Sequence, residues 1–219
     1  MSQDNVPSLE EALHNCFETG EYADMTITCG SRIWRVHKVV VCRVPFFAKA
    51  VAGKFKEARD SCIDLVDDDP SAVEHMLRWL YNDSYDDEDF KQRDICELQF
   101  LARCYKFADK YLLAEVRTWA GHQLRAILID CKWDAKDLLA LVEELFAGAD
   151  ESSKAAPELL RTWVIGATYL NYDVCFHSSP SHIRFREVAF SRPDFLMGVM
   201  DIFQAKKSDT WKGPLLPDA

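Results

Sequence analysis

Residues 22–81 read YADMTITCGSRIWRVHKVVVCRVPFFAKAVAGKFKEARDSCIDLVDDDPSAVEHMLRWLY, and the order of elements in this stretch decides the fold. Met25-Thr26-Ile27-Thr28-Cys29 alternates apolar and polar, meets Gly30-Ser31, and continues into a second short run, Ile33-Trp34-Arg35-Val36. Two alternating runs across a Gly-Ser turn predict a β-hairpin. His37-Lys38 opens an apolar stretch at helical spacing, Pro45 breaks it, and Phe46-Phe47 begins another helix. A third strand is expected at Cys62-Ile63-Asp64-Leu65-Val66. The following Asp67-Asp68-Asp69-Pro70 has the form of an N-cap with proline at the first helical position. From that cap, Val73, Met76, Leu77 and Leu80 fall on one helical face.

Working outward, Ser8 with Glu11 three residues on forms a capping-box pattern before Leu9, Ala12, Leu13, Cys16 and Phe17, and Gly20 closes this first short helix. Downstream, Leu98, Leu101, Ala102, Tyr105 and Ala108 mark a helix, and Leu112-Leu113-Ala114-Glu115-Val116 is read as the start of another. Beyond Ile129, helices are expected around Leu138–Leu145, from Pro157 through Ala167, from Ile183 to Phe190 and from Pro193 to Phe203. The stretch from Asp83 to Asp89 is acidic and reads as a solvated loop or a docking patch, and the polar stretch at 206–219 reads as a disordered tail.

Composition restricts function. The chain has 219 residues and a net charge of −10, and both parts are acidic: −6 over residues 1–125 and −4 over 126–219. Phosphate neutralisation needs clustered Lys and Arg, so direct nucleic-acid binding is not expected. Residues 1–20 lack a secretory pattern and no run of 18 apolar residues occurs, so an intracellular protein, cytoplasmic or nuclear, is expected, neither secreted nor membrane-bound. The eight cysteines sit singly and are read as reduced thiols. No catalytic residue, cofactor or metal site is expected. His37 has no nucleophile or orienting carboxylate at motif spacing, Cys29 and Cys42 follow no ligand pattern, and Cys175, His177 and His182 are irregularly spaced.

The ordered set of Asp24, Val36-His37-Lys38, Pro45-Phe46-Phe47, Gly53-Lys54-Phe55-Lys56-Glu57-Ala58, Ile63-Asp64-Leu65, Asp69-Pro70 and Leu80-Tyr81 resembles the BTB/POZ domain, a protein–protein interaction module. With its short first helix, the chain looks like the BTB proteins of filamentous fungi. The resemblance implies an α+β fold, a small, mainly three-stranded sheet flanked by a helical cluster, followed by an all-helical C-terminal extension. The expected division is an N-terminal helix at 1–21, the BTB/POZ domain at 22–128, the extension at 129–205 and the tail at 206–219, packed as one unit. BTB proteins that reach DNA do so through appended zinc fingers, whose Cys and His spacing is absent here.

The same resemblance supplies candidate sites. In BTB domains a helix placed like the first one lies in a homodimer interface, which nominates Leu9, Leu13 and Phe17. An acidic residue before the first strand and a basic one after the second, here Asp24 and Lys38, line a charged pocket near the dimer seam; they serve either geometry or a partner contact. In BTB adaptors of cullin-RING ubiquitin ligases, a hydrophobic-x-Glu motif meets the cullin scaffold, and Phe55-Lys56-Glu57 stands at the matching place. Phe55 would be the apolar anchor and Glu57 the directional charge. The function expected is an adaptor that homodimerises and presents an unidentified protein substrate to a cullin. The alternative is a scaffolding or assembly protein in transcriptional or signalling complexes.

Overall fold

The computed structural model describes residues 6–54, 56–81, 95–131, 133–147, 157–176, 180–208 and 215–217. In chain order the elements are α1 (Leu9–Thr19), β1 (Met25–Cys29), β2 (Arg32–Val36), α2 (Lys38–Val41), α3 (Pro45–Ala52), α4 (Lys56–Asp60), β3 (Cys62–Asp64) and α5 (Pro70–Leu80). There follow α6 (Glu97–Lys110), α7 (Ala114–Asp130), α8 (Ala135–Leu145), α9 (Glu158–Leu170), α10 (Tyr172–Phe176), α11 (Pro180–Ser191) and α12 (Pro193–Lys207). The chain packs as two compact units, the first comprising residues up to 93 with 107–116, the second 94–106 with 117–219.

The first unit is built on a three-stranded sheet of order β2-β1-β3. β1 and β2 form the expected hairpin, with Met25 opposite Val36 and Ile27 opposite Trp34. β1 alternates strictly, sending Met25, Ile27 and Cys29 into the core. β3 runs parallel to β1, Ile27 beside Ile63, and is joined to the hairpin by α2, α3 and α4. A parallel neighbour requires such a crossover, because a tight turn cannot reverse the direction twice. Leu65 still donates its amide to the Thr28 carbonyl at 2.8 Å, after which Asp68 turns back on Leu65. The strand therefore ends at Asp64 rather than at the expected Val66.

Helix starts follow the sequence signals. Ser8 and Glu11 close a reciprocal capping box on α1, and Gly20 ends it in the left-handed conformation at φ 64°. A Cβ there would lie 2.8 Å from that of Arg35, so both the dihedral and the space require glycine. Asp69 caps α5 by accepting from the amides of Ser71 (2.9 Å) and Ala72 (3.0 Å), with Pro70 at the first position. Val73, Met76, Leu77 and Leu80 are all buried, as their spacing predicted. Leu112 departs from expectation. Instead of opening a helix it is a left-handed residue at φ 59°, and Leu113 donates back to the Ala108 carbonyl at 2.8 Å. This six-to-one bond terminates α6, and α7 starts only at Ala114.

In the second unit, Phe100, Leu101 and Tyr105 of α6 and Ala120, Leu124 and Leu128 of α7 join the buried faces of α8, α9, α11 and α12 in one core. Tyr105 meets Trp163 edge-on at 5.9 Å, and Phe146 meets Phe195 at 5.1 Å. About 75 residues of helix offer a marginal core alone, and taking apolar surface from two earlier helices enlarges it. Gln99 and Arg103 of α6 donate to Glu144 at 3.4 and 3.0 Å, with the Lys106 ammonium at 3.6 Å. α10 was not anticipated; Cys175 is its buried anchor.

Residues 215–217 revise the disordered tail. Leu216 is buried, its carbonyl accepts from Arg125 at 3.0 Å, and the Pro217 carbonyl accepts from the Trp163 indole at 2.8 Å. The acidic stretch at 83–89 and His177 lie outside the described residues.

Candidate interaction surfaces

α1 is amphipathic yet contains no buried residue. Leu9 is 75 % exposed, and Leu13 and Phe17, each four positions on, are half-buried, so the three form one stripe. The far end of the helix is fixed to α5. Phe17 packs on Tyr81 with ring centroids 5.0 Å apart, and the Arg78 guanidinium lies 5.2 Å over the Phe17 ring. Arg78 also bridges Glu18 at 2.9 Å and Glu74 at 3.4 Å, and Arg32 pairs with Glu74. A cavity of about 280 Å³ lies between α1, β2 and α5, lined by Phe17, Trp34, Arg35, Glu74 and Arg78.

Tyr81 ties this corner to the sheet. Its hydroxyl accepts the His37 backbone amide at 2.8 Å and lies 2.7 Å from His37 Nδ1. His37 Nε2 faces the Glu21 carbonyl at 2.7 Å. A carbonyl can only accept, so the proton sits on Nε2 and Nδ1 accepts from the Tyr81 hydroxyl. Both ring nitrogens are engaged, as a structural histidine requires. Burial pushes the Tyr81 phenol up to about 12.

Asp24 and Lys38 do meet, but not as an ion pair. Asp24 Oδ1 accepts from the Lys38 backbone amide at 2.7 Å, satisfying a free donor at the start of α2. The Lys38 ammonium turns away to Ser61 Oγ at 2.9 Å, next to β3. Together the two residues join β1, α2 and β3.

Glu57 sits half-buried in the first turn of α4. Phe55 lies outside the described residues. On the neighbouring helix α3, Phe47 is buried while Phe46 is partly exposed against Tyr111, centroids 4.7 Å apart. Tyr111 donates to Asp68 at 2.7 Å, and Lys110 bridges the same carboxylate at 2.8 Å. Burial, and then the bond to Asp68, pushes the Tyr111 hydroxyl up.

One surface was missed from sequence. A cavity of about 250 Å³ is lined by Arg43, Pro45, Trp79, Leu112, Leu113 and Glu115 among others. Leu112 stands 82 % exposed at its rim. Helical periodicity assigned Leu112 to a helix face, and nothing in its neighbours signals the left-handed cap that projects it.

All eight cysteines are free. Burial pushes the Cys175 thiol up to about 12 and the Cys29 thiol to about 11, away from the reactive thiolate. Among the described residues, no group of three or more His, Cys, Asp or Glu is placed to hold a metal ion, and no helix is long and apolar enough to cross a membrane.

Residues 13–118 match the family model of the BTB/POZ domain. The chain is 33 % identical over 67 residues to the mouse Kelch-like protein 8, which covers 30 % of this chain and 11 % of that protein. It is 28 % identical over 82 residues to the mouse Germ cell-less protein-like 2, covering 37 % and 16 % respectively. The chain therefore spans only a small fraction of the length of these relatives. The parallel β3 beside a β1–β2 hairpin, the helical cluster and the family match agree, and residues 13–118 of this chain form a BTB/POZ domain, a protein–protein interaction module.

Proposed function

We propose that this chain is a homodimerising, non-enzymatic adaptor whose α1 stripe forms the self-association surface and whose Phe55-Lys56-Glu57 segment contacts a cullin-type scaffold. The observation that carries self-association is the exposed stripe on a helix whose end is firmly held. Leu9 is largely uncovered and Leu13 half-buried, and Phe17, Glu18 and Arg78 fix the direction of the stripe. A second copy related by a two-fold axis would cover the stripe on both chains at once. Asp24 and Lys38 support this surface by holding β1, α2 and β3 together.

The cullin contact rests on the resemblance of Phe55 and Glu57 to the adaptor motif, and on Glu57 standing in the first turn of a short helix beside α3. The expected domain layout, BTB/POZ over 22–128 and a helical extension over 129–205, belongs to the same reading, as does an intracellular location.

Two measurements test it. Sedimentation velocity should give a dimer for wild type and a monomer for Leu9→Asp/Leu13→Asp; a monomeric wild type at tens of micromolar sinks the α1 reading. Affinity purification should recover a cullin with wild type and lose it with Phe55→Ala/Glu57→Lys at equal folding. A cullin retained by that variant refutes the contact, and no cullin with either protein favours the scaffolding role.

A further inference from the structure

We propose that the face of the second unit made by Trp163, Gly166 and Arg125 is a groove for a Leu-Pro segment of another polypeptide, occupied in cis by residues 215–217 of this chain.

The contacts have the form of peptide recognition rather than of core packing. Consecutive main-chain carbonyls are read by side-chain donors from two helices. The Leu216 carbonyl accepts from Arg125 Nε on α7 at 3.0 Å, and the Pro217 carbonyl accepts from Trp163 Nε1 on α9 at 2.8 Å. Both donors sit on planar groups, the guanidinium and the indole, whose N–H directions are fixed by the ring or fork. The segment's backbone also lies directly on α9. A Cβ at Gly166 would run into the Leu215 carbonyl oxygen, so glycine within this helix is what lets the segment approach. Glycine inside a helix is unfavourable relative to alanine, which makes the position costly unless the approach is used. Between these polar contacts Leu216 is 5 % exposed, filling the groove with one apolar side chain.

The specificity follows from these contacts. Carbonyl reading and close backbone approach demand a main chain free of helix or strand pairing, as at the bends of Leu215 and Leu216; one buried position demands Leu, and proline after it supplies a carbonyl without an amide donor and restricts the backbone of the preceding residue. Residues 209–214 link α12 to the docked segment, and so short a tether sets the effective concentration of the cis ligand on the order of millimolar. A partner carrying a Leu-Leu-Pro segment would compete with it.

Fluorescence anisotropy with a labelled peptide spanning residues 212–219, KGPLLPDA, provides the test. Against a peptide Kd on the order of 100 µM, a millimolar cis competitor weakens apparent binding about tenfold. The full-length Leu216→Asp variant, its own segment disabled, should therefore bind the peptide about tenfold more tightly than wild type. Adding Gly166→Ala should abolish that binding, although alanine strengthens the helix itself. Equal binding by wild type and Leu216→Asp, binding that survives Gly166→Ala, or no binding by a folded Leu216→Asp variant each overturns the proposal. A segment that only completes the core gives the last result. Should circular dichroism show Leu216→Asp unfolded, Leu216→Ser replaces it in the same comparison.

Discussion

Replacing Tyr81 with phenylalanine isolates one hydroxyl at the corner where α1 meets the sheet. The ring stays against Phe17, so the packing that holds α1 survives. The His37 amide loses its acceptor and Nδ1 loses its donor. Leaving a buried donor unsatisfied costs about 1–3 kcal/mol, and that is the expected loss of stability at pH 7. The pH dependence is more discriminating. Burial raises the Tyr81 phenol from 10.0 in the unfolded chain to about 12 in the fold. The folded state therefore holds its proton where the unfolded state has released it. This contribution is complete below pH 10 and is lost as pH rises towards 12. Two units at about 1.4 kcal/mol each make the loss on the order of 3 kcal/mol for wild type and nothing for the variant. The deficit of Tyr81→Phe should shrink above pH 10 and vanish between about pH 11 and 12. Cys29 and Cys175 also titrate above their ordinary range, but they do so in both proteins and cancel in the difference. Urea unfolding followed by tryptophan fluorescence, in reductant, at pH 7, 9, 10 and 11 measures the deficit. An offset constant across that range, or no deficit at pH 7, refutes the reasoning.

Other outcomes follow from the same geometry. Gly20→Ala should cost more than Gly30→Ala: both glycines have positive φ, but only at Gly20 does a Cβ meet a neighbour, that of Arg35 at 2.8 Å. About 1 kcal/mol is expected for the dihedral alone and roughly 1–3 kcal/mol more for the overlap, read by denaturant midpoint, and equal losses would contradict the account. Asp69→Ala should remove about 1 kcal/mol by uncapping two amides of α5, and Asp69→Asn should restore most of it; a variant as stable as wild type would show the cap to be idle. Cys175→Ala should flatten the fall in stability between pH 9 and 12, because the buried thiol stabilises the fold while protonated and that contribution disappears as pH rises through about 12. An unchanged alkaline limb would argue against its burial.

Local signals carried a good deal of this protein. The capping box at Ser8 and Glu11, the Gly-Ser turn, the Asp69-Pro70 helix start and the Val73-Met76-Leu77-Leu80 face each depend on residues within a few positions of one another, and each appears in the structure as read. The family order was legible for the same reason: it is a succession of such local signals. What depended on distant partners was not legible. Alternation in β1 says that one face is buried, but the parallel pairing of Ile27 with Ile63 arises from a crossover that brings together residues far apart in the chain. Leu112 has the composition of a helix face, and its exposure comes from a chain reversal made by the Ala108 carbonyl and the Leu113 amide. Asp24 and Lys38 were nominated together, yet only the folded chain sends the carboxylate to an amide and the ammonium to Ser61. Leu216 marks the limit most clearly. It stands in a stretch rich in Pro and Lys, so composition assigns it to solvent, whereas Arg125 on α7 and Trp163 on α9 meet the carbonyls of Leu216 and Pro217 only after both helices have packed. Short-range periodicity and capping are written into adjacent residues; a groove is a property of surfaces that adjacent residues do not share.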